Sequence, residues 1–395
     1  MTQTPLHGGD PSVLRRLNSV ATLRALRGGG EPTLTELAGQ VNLSRPTTEG
    51  VLGELAARGL VEEVAPENAG RLGRPARRYR FRAEAGYALG IEIQAHRTSV
   101  LLADLDGRLV GGHRADLEVG SAPRDRLAAV HAAVETCLSA AGVAGSRLRA
   151  VAAGTPGVID AEGRVASCTV VPGWEGAEVG RELGRAFPCP VLVGNDANLA
   201  AMAERWCGVA KGVDDLVYFL AGPHTGAGAI IGGRLHRGRR GAAGEVGTLP
   251  ELGLRNTTAE LAGHGEPEGG TPPARPTVDL SARTAERIAD DVLTAARAGD
   301  PTARARVDRL AARMARGIAT MVLALDPEMV VVGGALTRGG DLLVEDLRRH
   351  VLPLCLSPVR IETSTLGDES VSLGAVRLAL DHIEADLFRL GPPPS

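Results

Sequence analysis

The stretch TLTELAGQVNLSRPTTEGVLGELAARG, residues 33–59, decides the reading of the N-terminal region. Leu34, Leu37 and Ala38 share one helical face, and Val51, Leu52 and Leu55 share another further on. Only the short turn VNLS separates the two runs. Ser44 is placed to cap the second helix, Pro46 fits its first turn and Gly59 stops it. Two helices joined by a tight turn, the second opening on small polar and basic residues, predict a helix-turn-helix. Arg45, Thr47 and Glu49 open the recognition helix away from its packing face, where base edges and phosphates would lie. Arginine suits guanine, and a carboxylate suits the cytosine amino group. Ser44 would divide its time between capping and a phosphate, while Thr48 lies nearer the packing face, half buried.

Upstream, SVLRRLNSVATLRALR sets Val13, Leu14, Leu17, Val20, Leu23 and Leu26 in a helical stripe that ends at Gly28-Gly29-Gly30. Downstream, LVEEVAP and RRYRFR read as two strands of a wing around ENAGRLGRPA. Six arginines (71, 74, 77, 78, 80 and 82) fall between positions 71 and 82, with no acid among them. A Gly73-Arg74-Pro75 tripeptide is compact and extended, able to slide an arginine into a narrow minor groove. The DNA-contact candidates are therefore Ser44, Arg45, Thr47, Glu49, Arg71, Gly73, Arg74, Pro75 and Arg77. The competing reading of the arginine run is a solvated face. Residues 1–86 carry 12 Arg against 9 Asp and Glu, a net of +3, so affinity for DNA should lean on the wing.

The whole chain, at 395 residues, suits two or three domains. Its net charge of −3 means that any nucleic-acid surface is local. With 2% aromatic residues, the cores must be packed with Ala, Val and Leu. No apolar run reaches the roughly 18 residues of a membrane span, and no signal pattern opens the chain, so a soluble cytoplasmic protein is expected. None of the five cysteines form a CxxC pair, which reads as buried or idle reduced thiols.

From Tyr87 the pattern changes. YALGIEIQAHRTSVLLADLDGRLVGGHRADLEV reads as three strands with a turn at Asp106-Gly107. Helices are expected at about 123–141, 282–299 and 301–325, and strands before GTPGVID, at PVLVGN and at PEMVVVGGAL. The segment 262–280 is rich in Gly and Pro and reads as a loop. Strands alternating with helices mean an α/β body.

In order and spacing, GTPGVID, VPGWEG, GNDAN, GAGAIIGGRLHRG, GAAGEVG and VVVGGAL resemble the ROK family of bacterial sugar kinases and sugar-responsive repressors. The resemblance implies a two-lobed α/β body of the actin/hexokinase type behind the winged helix-turn-helix. The expected domains are 1–84 for the head, 85–200 for the first lobe and 201–395 for the second, with the C-terminal helices free to return to the first lobe. By resemblance, Asp196, beside Asn195, stands where family kinases carry the base that accepts a sugar hydroxyl proton; a helix cap at Asp196 is the structural alternative. Glu245 matches a carboxylate that holds sugar hydroxyls, and Glu260 is a candidate for another.

The departures are as informative. Thr248 stands where the family places a zinc-binding histidine, and LPELGLRNTTAELAG after it lacks the accompanying cysteines, so no metal is expected. The first phosphate loop reads Glu92, Ile93, Gln94, Ala95, His96 in place of Asp-x-Gly-Gly-Thr. The second reads Gly222-Pro223-His224-Thr225-Gly226-Ala227-Gly228, where proline removes an N–H and histidine fills a glycine position. Only Gly333-Gly334 keeps the phosphate-loop form. The expectation is a DNA-binding repressor with no catalytic residues and no cofactor. Its expected partners are a double-stranded operator, a sugar or sugar-phosphate effector, and a second copy in a homodimer or higher homo-oligomer. An active sugar kinase and a regulator with a ligand-free scaffold are the alternatives.

Overall fold

The computed structural model describes residues 11–28, 30–64, 77–118, 120–222, 225–262 and 281–388. The chain divides into two compact units. The first, the head, holds the described residues up to Ala88 together with Ala103–Val110 and the described residues from Leu380. It contains α1 (Pro11–Leu26), α2 (Leu34–Gln40), α3 (Arg45–Ala57), β1 (Val61–Val64) and β2 (Arg78–Phe81). Thr33 starts α2 with a capping box: its hydroxyl accepts the Glu36 N–H, and the Glu36 carboxylate accepts the Thr33 N–H at 2.7 Å. Asn42 takes the left-handed turn between α2 and α3. Leu23, Leu26, Leu37, Val51, Leu52 and Leu55 form the core, closed by Tyr79 and Phe81 from alternate positions of β2. Of the six-residue α1 stripe only Leu23 and Leu26 are buried; Val13 and Val20 are half-buried, and Leu14 is 61% and Leu17 44% exposed. A 16-residue helix cannot be covered along its whole length by partners of 7 and 13 residues.

The second unit is the body, and residues 87–88, 103–104 and 109–110, strand ends of its first sheet, are grouped with the head. This first sheet has the order β5-β4-β3-β6-β9. It uses β3 (Tyr87–Ile93), β4 (Arg97–Asp104), β5 (Leu109–Asp116), β6 (Leu148–Thr155) and β9 (Val191–Asn195). Helix α4 (Pro123–Ala141) precedes β6, the small hairpin β7 (Val158–Ile159) and β8 (Val165–Ser167) follows it, and α5 (Val179–Ala186) leads into β9. β6 and β9 are parallel, with Thr155 opposite Asn195. Every residue of β3 is buried, as expected of a central strand covered on both faces. Helix α6 (Asp196–Cys207) leaves β9 and precedes the second sheet.

That sheet has the order β12-β11-β10-β13-β14. It consists of β10 (Leu216–Ala221), β11 (Gly226–Ile231), β12 (Arg234–Leu235), β13 (Met329–Gly334) and β14 (Arg360–Thr363). Helices α7 (Thr257–Leu261), α8 (Ser281–Arg297), α9 (Pro301–Leu325) and α10 (Gly340–Val351) belong to this lobe. Asp300 caps α9 by accepting the Ala303 N–H at 2.7 Å. Val307, Leu310, Met314 and Ile318 of α9 share one core with Phe219, Val330 and Val332 of the sheet. Helix α11 (Ser370–Leu387) returns to the first sheet, where Gly90 of β3 lies against the backbone of Ser372 and Val376.

Candidate nucleic-acid interface and ligand cleft

Ser44 is the N-cap of α3, its hydroxyl accepting the Thr47 N–H at 3.3 Å and lying 2.8 Å from the Thr47 hydroxyl. This fixes the start of the recognition helix and leaves Arg45, Pro46, Thr47 and Glu49 exposed. Thr48 is fully buried, not half buried, because its hydroxyl is turned back onto the Ser44 carbonyl at 3.0 Å.

Arg71, Gly73, Arg74 and Pro75 lie outside the described residues. The described half of the arginine run is not an open basic surface. Arg80 sits across the hairpin from Glu62 and pairs with both Glu62 and Glu84. Arg82 reaches the same two carboxylates, and Arg77 lies 3.5 Å from Glu63. Arg78 donates to the Glu31 carbonyl at 3.1 Å. The acids come from the opposite strand and from the turn after β2, so a count along one segment misses them.

In the body, Asn195 ends β9 and, not Asp196, caps α6: its side-chain oxygen accepts the Asn198 N–H at 3.0 Å. Its amide donates to the Gly157 carbonyl at 3.1 Å and to Asp196 Oδ1 at 3.0 Å. Asp196 Oδ1 also accepts the Ala197 N–H at 2.8 Å. Burial nevertheless pushes the Asp196 carboxyl up to about 6, against the pull of those donors. Glu245 opens the turn after Gly244, and its carboxyl is raised by burial and by the charge of Asp196. The Cys168 thiol is raised by burial and by the charges of both carboxylates. No sequence signal singled out Cys168.

Two further side chains shape this region. Trp174, from VPGWEG, is buried and donates its indole N–H to the Thr155 hydroxyl at 2.8 Å. Arg126 of α4 lies beneath the β3–β4 turn and donates to the carbonyls of Gln94 at 2.7 Å, Ala95 at 2.8 Å and Glu118 at 3.3 Å. In that turn the Gln94 amide folds back onto Glu92 at 2.5 Å. Glu92 is 2% exposed, its other oxygen has no donor, and burial drives its carboxyl up to about 7. Pro223 and His224 of the second loop lie outside the described residues. Gly333 and Gly334 have packing reasons of their own. A β-carbon on Gly333 would collide with the Tyr218 hydroxyl, and Gly334, at φ +74°, lies against the Ala221 carbonyl.

Glu260 is not joined to the Asp196–Glu245 pair. It forms an ion pair with Arg313 of α9 at 2.5 Å, and Arg313 also donates to the Arg255 carbonyl at 2.9 Å. Thr248 donates to the Glu245 carbonyl at 2.7 Å. This donor set, with no histidine or cysteine from 245 to 261, does not fit the family's structural zinc. An arginine clamp from α9 holds the loop instead.

A winged helix-turn-helix head followed by a two-lobed sugar-kinase-type body defines the class. The ROK family model matches residues 88–258 and 278–382, and the IclR helix-turn-helix domain model matches residues 18–65. The chain belongs to the ROK family. It is 24% identical to the xylose repressor of Caldicellulosiruptor bescii over 389 residues, covering 94% of this chain and 97% of that one. It is 27% identical to the glucokinase of Thermotoga maritima, covering 75% of this chain and 98% of that one. Among solved structures, a ROK family transcriptional regulator described as a homolog of the E. coli Mlc protein superposes with a TM-score of 0.70. That match has 20% identity and covers 96% of this chain and all of that one. No described helix is long and apolar enough to cross a membrane.

Proposed function

We infer that the chain is a DNA-binding, sugar-responsive transcriptional repressor whose kinase-type body senses a sugar without phosphorylating it. The observation that carries this reading is a capped, solvent-facing recognition helix in the same chain as a ROK-type body whose Asp196 and Glu245 are buried carboxyls close enough for the charge of one to act on the other. The named relatives divide along this line. The xylose repressor spans 94% of the chain, whereas the glucokinase spans 75%.

Arg45, Thr47 and Glu49 meet base edges, Ser44 meets a phosphate, and Arg71, Gly73, Arg74 and Pro75 enter the minor groove beside them. Arg77 joins them by leaving Glu63. Asn195, Asp196 and Glu245 hold sugar hydroxyls. Glu260 shapes the cleft wall through Arg313 instead of touching the sugar. The turn after β3 does not suit a nucleotide phosphate, because the Gln94 N–H is committed to the Arg97 carbonyl at 2.9 Å and the Gln94 amide to Glu92, leaving neither donor for phosphate oxygens. A homodimer would present paired heads to paired half-sites. Sugar binding would favour one spacing of the heads over another.

The test is operator release titrated with pentoses, hexoses and their phosphates, alongside calorimetry on the full chain. A sugar should bind and weaken operator affinity at least tenfold, and Asp196→Ala should abolish both effects. If no compound in the panel binds or releases DNA, the body is a scaffold only. ADP production that depends on a sugar and vanishes in Asp196→Asn would instead make the body a kinase.

The reading-head assignment has its own check. Gly50 and Gly53 lie inside α3 on its exposed side, and a β-carbon at either meets nothing within 4 Å. Alanine at both should therefore stabilise the free protein, by roughly 0.5–1 kcal/mol per site. The same two methyl groups should weaken operator binding, since this face approaches DNA. A raised melting temperature with unchanged operator affinity would show that another face reads the site.

A further inference from the structure

A cavity of about 570 Å³ lies within the head unit, lined by Arg24, Arg27, Asp106, Arg108, Glu384 and Phe388. Its charges sort into two sets. Arg27 donates to the Leu105 carbonyl at 2.7 Å and lies 3.1 Å from Glu384 and 3.5 Å from Asp106. Both carboxylates of the cavity are thereby committed to Arg27. Arg24 and Arg108 have no ion-pair partner among the described residues. The Arg24 guanidinium rests on the Phe388 ring, 4.9 Å from its centre, which holds it at the cavity wall. The Arg108 backbone is pinned from the other side, its N–H donating to Asp104 Oδ1 at 2.9 Å.

We propose that Arg24 and Arg108 form a binding site for a small phosphorylated metabolite, separate from the sugar cleft around Asp196. Two exposed arginines lining one concave space can offer their forked N–H groups to the oxygens of a phosphate, and the volume suits a molecule of sugar-phosphate size. Three arginines against two carboxylates leave the cavity a net charge of +1, and with both carboxylates drawn to Arg27 the Arg24 and Arg108 end favours an anion over a neutral sugar. A phosphate held by both would tie the last turn of α1 to the turn at Asp106-Gly107, giving the head an anionic input of its own.

The experiment is calorimetric titration of the full chain with inorganic phosphate and with glucose 6-phosphate at matched ionic strength. The comparison is with an Arg24→Gln/Arg108→Gln variant and with Arg108→Gln alone, a change at an exposed turn that leaves the fold intact. Wild type should bind glucose 6-phosphate saturably. Arg108→Gln should weaken that binding at least fivefold and the double variant at least twentyfold. Equal affinity for inorganic phosphate would identify the phosphate group itself as the ligand and still support the site. Absence of saturable binding, or binding that survives both variants, overturns the proposal. So does a double variant whose only defect is weaker operator binding with a shallower salt dependence, which would assign these arginines to the DNA backbone.

Discussion

Arg126→Met is expected to destabilise the protein by roughly 2–4 kcal/mol and to lower its melting temperature by about 5–10 °C. The guanidinium is 1% exposed, has no carboxylate partner, and its Nε has no acceptor. Burial pulls its pKa below the ordinary arginine value. Two effects oppose each other in the variant. Removing a buried charge relieves its desolvation cost, which is why apolar replacements of buried ions are sometimes neutral. Here, however, the partners are the backbone carbonyls of Gln94, Ala95 and Glu118, and no substitution can remove them. The bond to Ala95 is buried and that to Gln94 partly so; a buried carbonyl left without a donor costs about 1–3 kcal/mol, so these two orphaned acceptors outweigh the relief. Arg126→Lys should recover part of the loss, because an ammonium can reach one or two of the carbonyls. The turn after β3 would also lose its anchor, and the sugar response should weaken more than operator affinity. A melting temperature within 2 °C of wild type for the methionine variant would mean that water replaces the guanidinium at little cost.

Such a residue is hard to see in a sequence. Arg126 sits in α4, whose apolar spacing announces a helix but not which polar side chain turns inward. The elements that were legible had local causes. Thr33 with Glu36, Ser44 and Asp300 each announce a helix start within one turn, and the structure places caps there. The strands of the body follow from long apolar runs, as at β3 and β13. What depends on pairing across the chain was not legible. The arginines of β2 look like a continuous basic strip until the hairpin register sets Glu62 opposite Arg80. Glu260 looks available until α9 brings Arg313 to it. Asp196 and Glu245 are 49 positions apart in the sequence, yet the charge of Asp196 acts on the Glu245 carboxyl in the fold. The family resemblance supplied that link, since periodicity and composition carry no information about it.

Glu92→Gln should stabilise the protein at pH 8 and remove a large part of its pH dependence. Burial has pushed the Glu92 carboxyl from 4.5 up to about 7, with Asp196 adding repulsion and Arg97 and Gln94 only partly offsetting it. The sign follows from proton counting. Between the unfolded value near 4.5 and the folded value near 7, the folded chain holds a proton that the unfolded chain has released. Stability therefore falls as pH rises through this window, and the loss is complete above it. The full effect corresponds to about 3 kcal/mol at pH 8. Glutamine has the same shape, keeps an oxygen for the Gln94 amide, and cannot ionise. Its melting temperature should exceed wild type by several degrees at pH 8, and the two should converge near pH 5. Parallel curves across this range would show that Glu92 is solvated or paired in solution and would remove it from the cleft's charge balance. The expected outcome has a consequence for function. A buried carboxyl that weakens the fold at neutral pH, beside a second one at Asp196, is retained against stability, as functional sites often are. A bound sugar that donates hydroxyl hydrogen bonds to Asp196 would favour that carboxylate. The effector should then bind more tightly to the Glu92→Gln variant, whose cleft carries one negative charge fewer to repel the ionised Asp196.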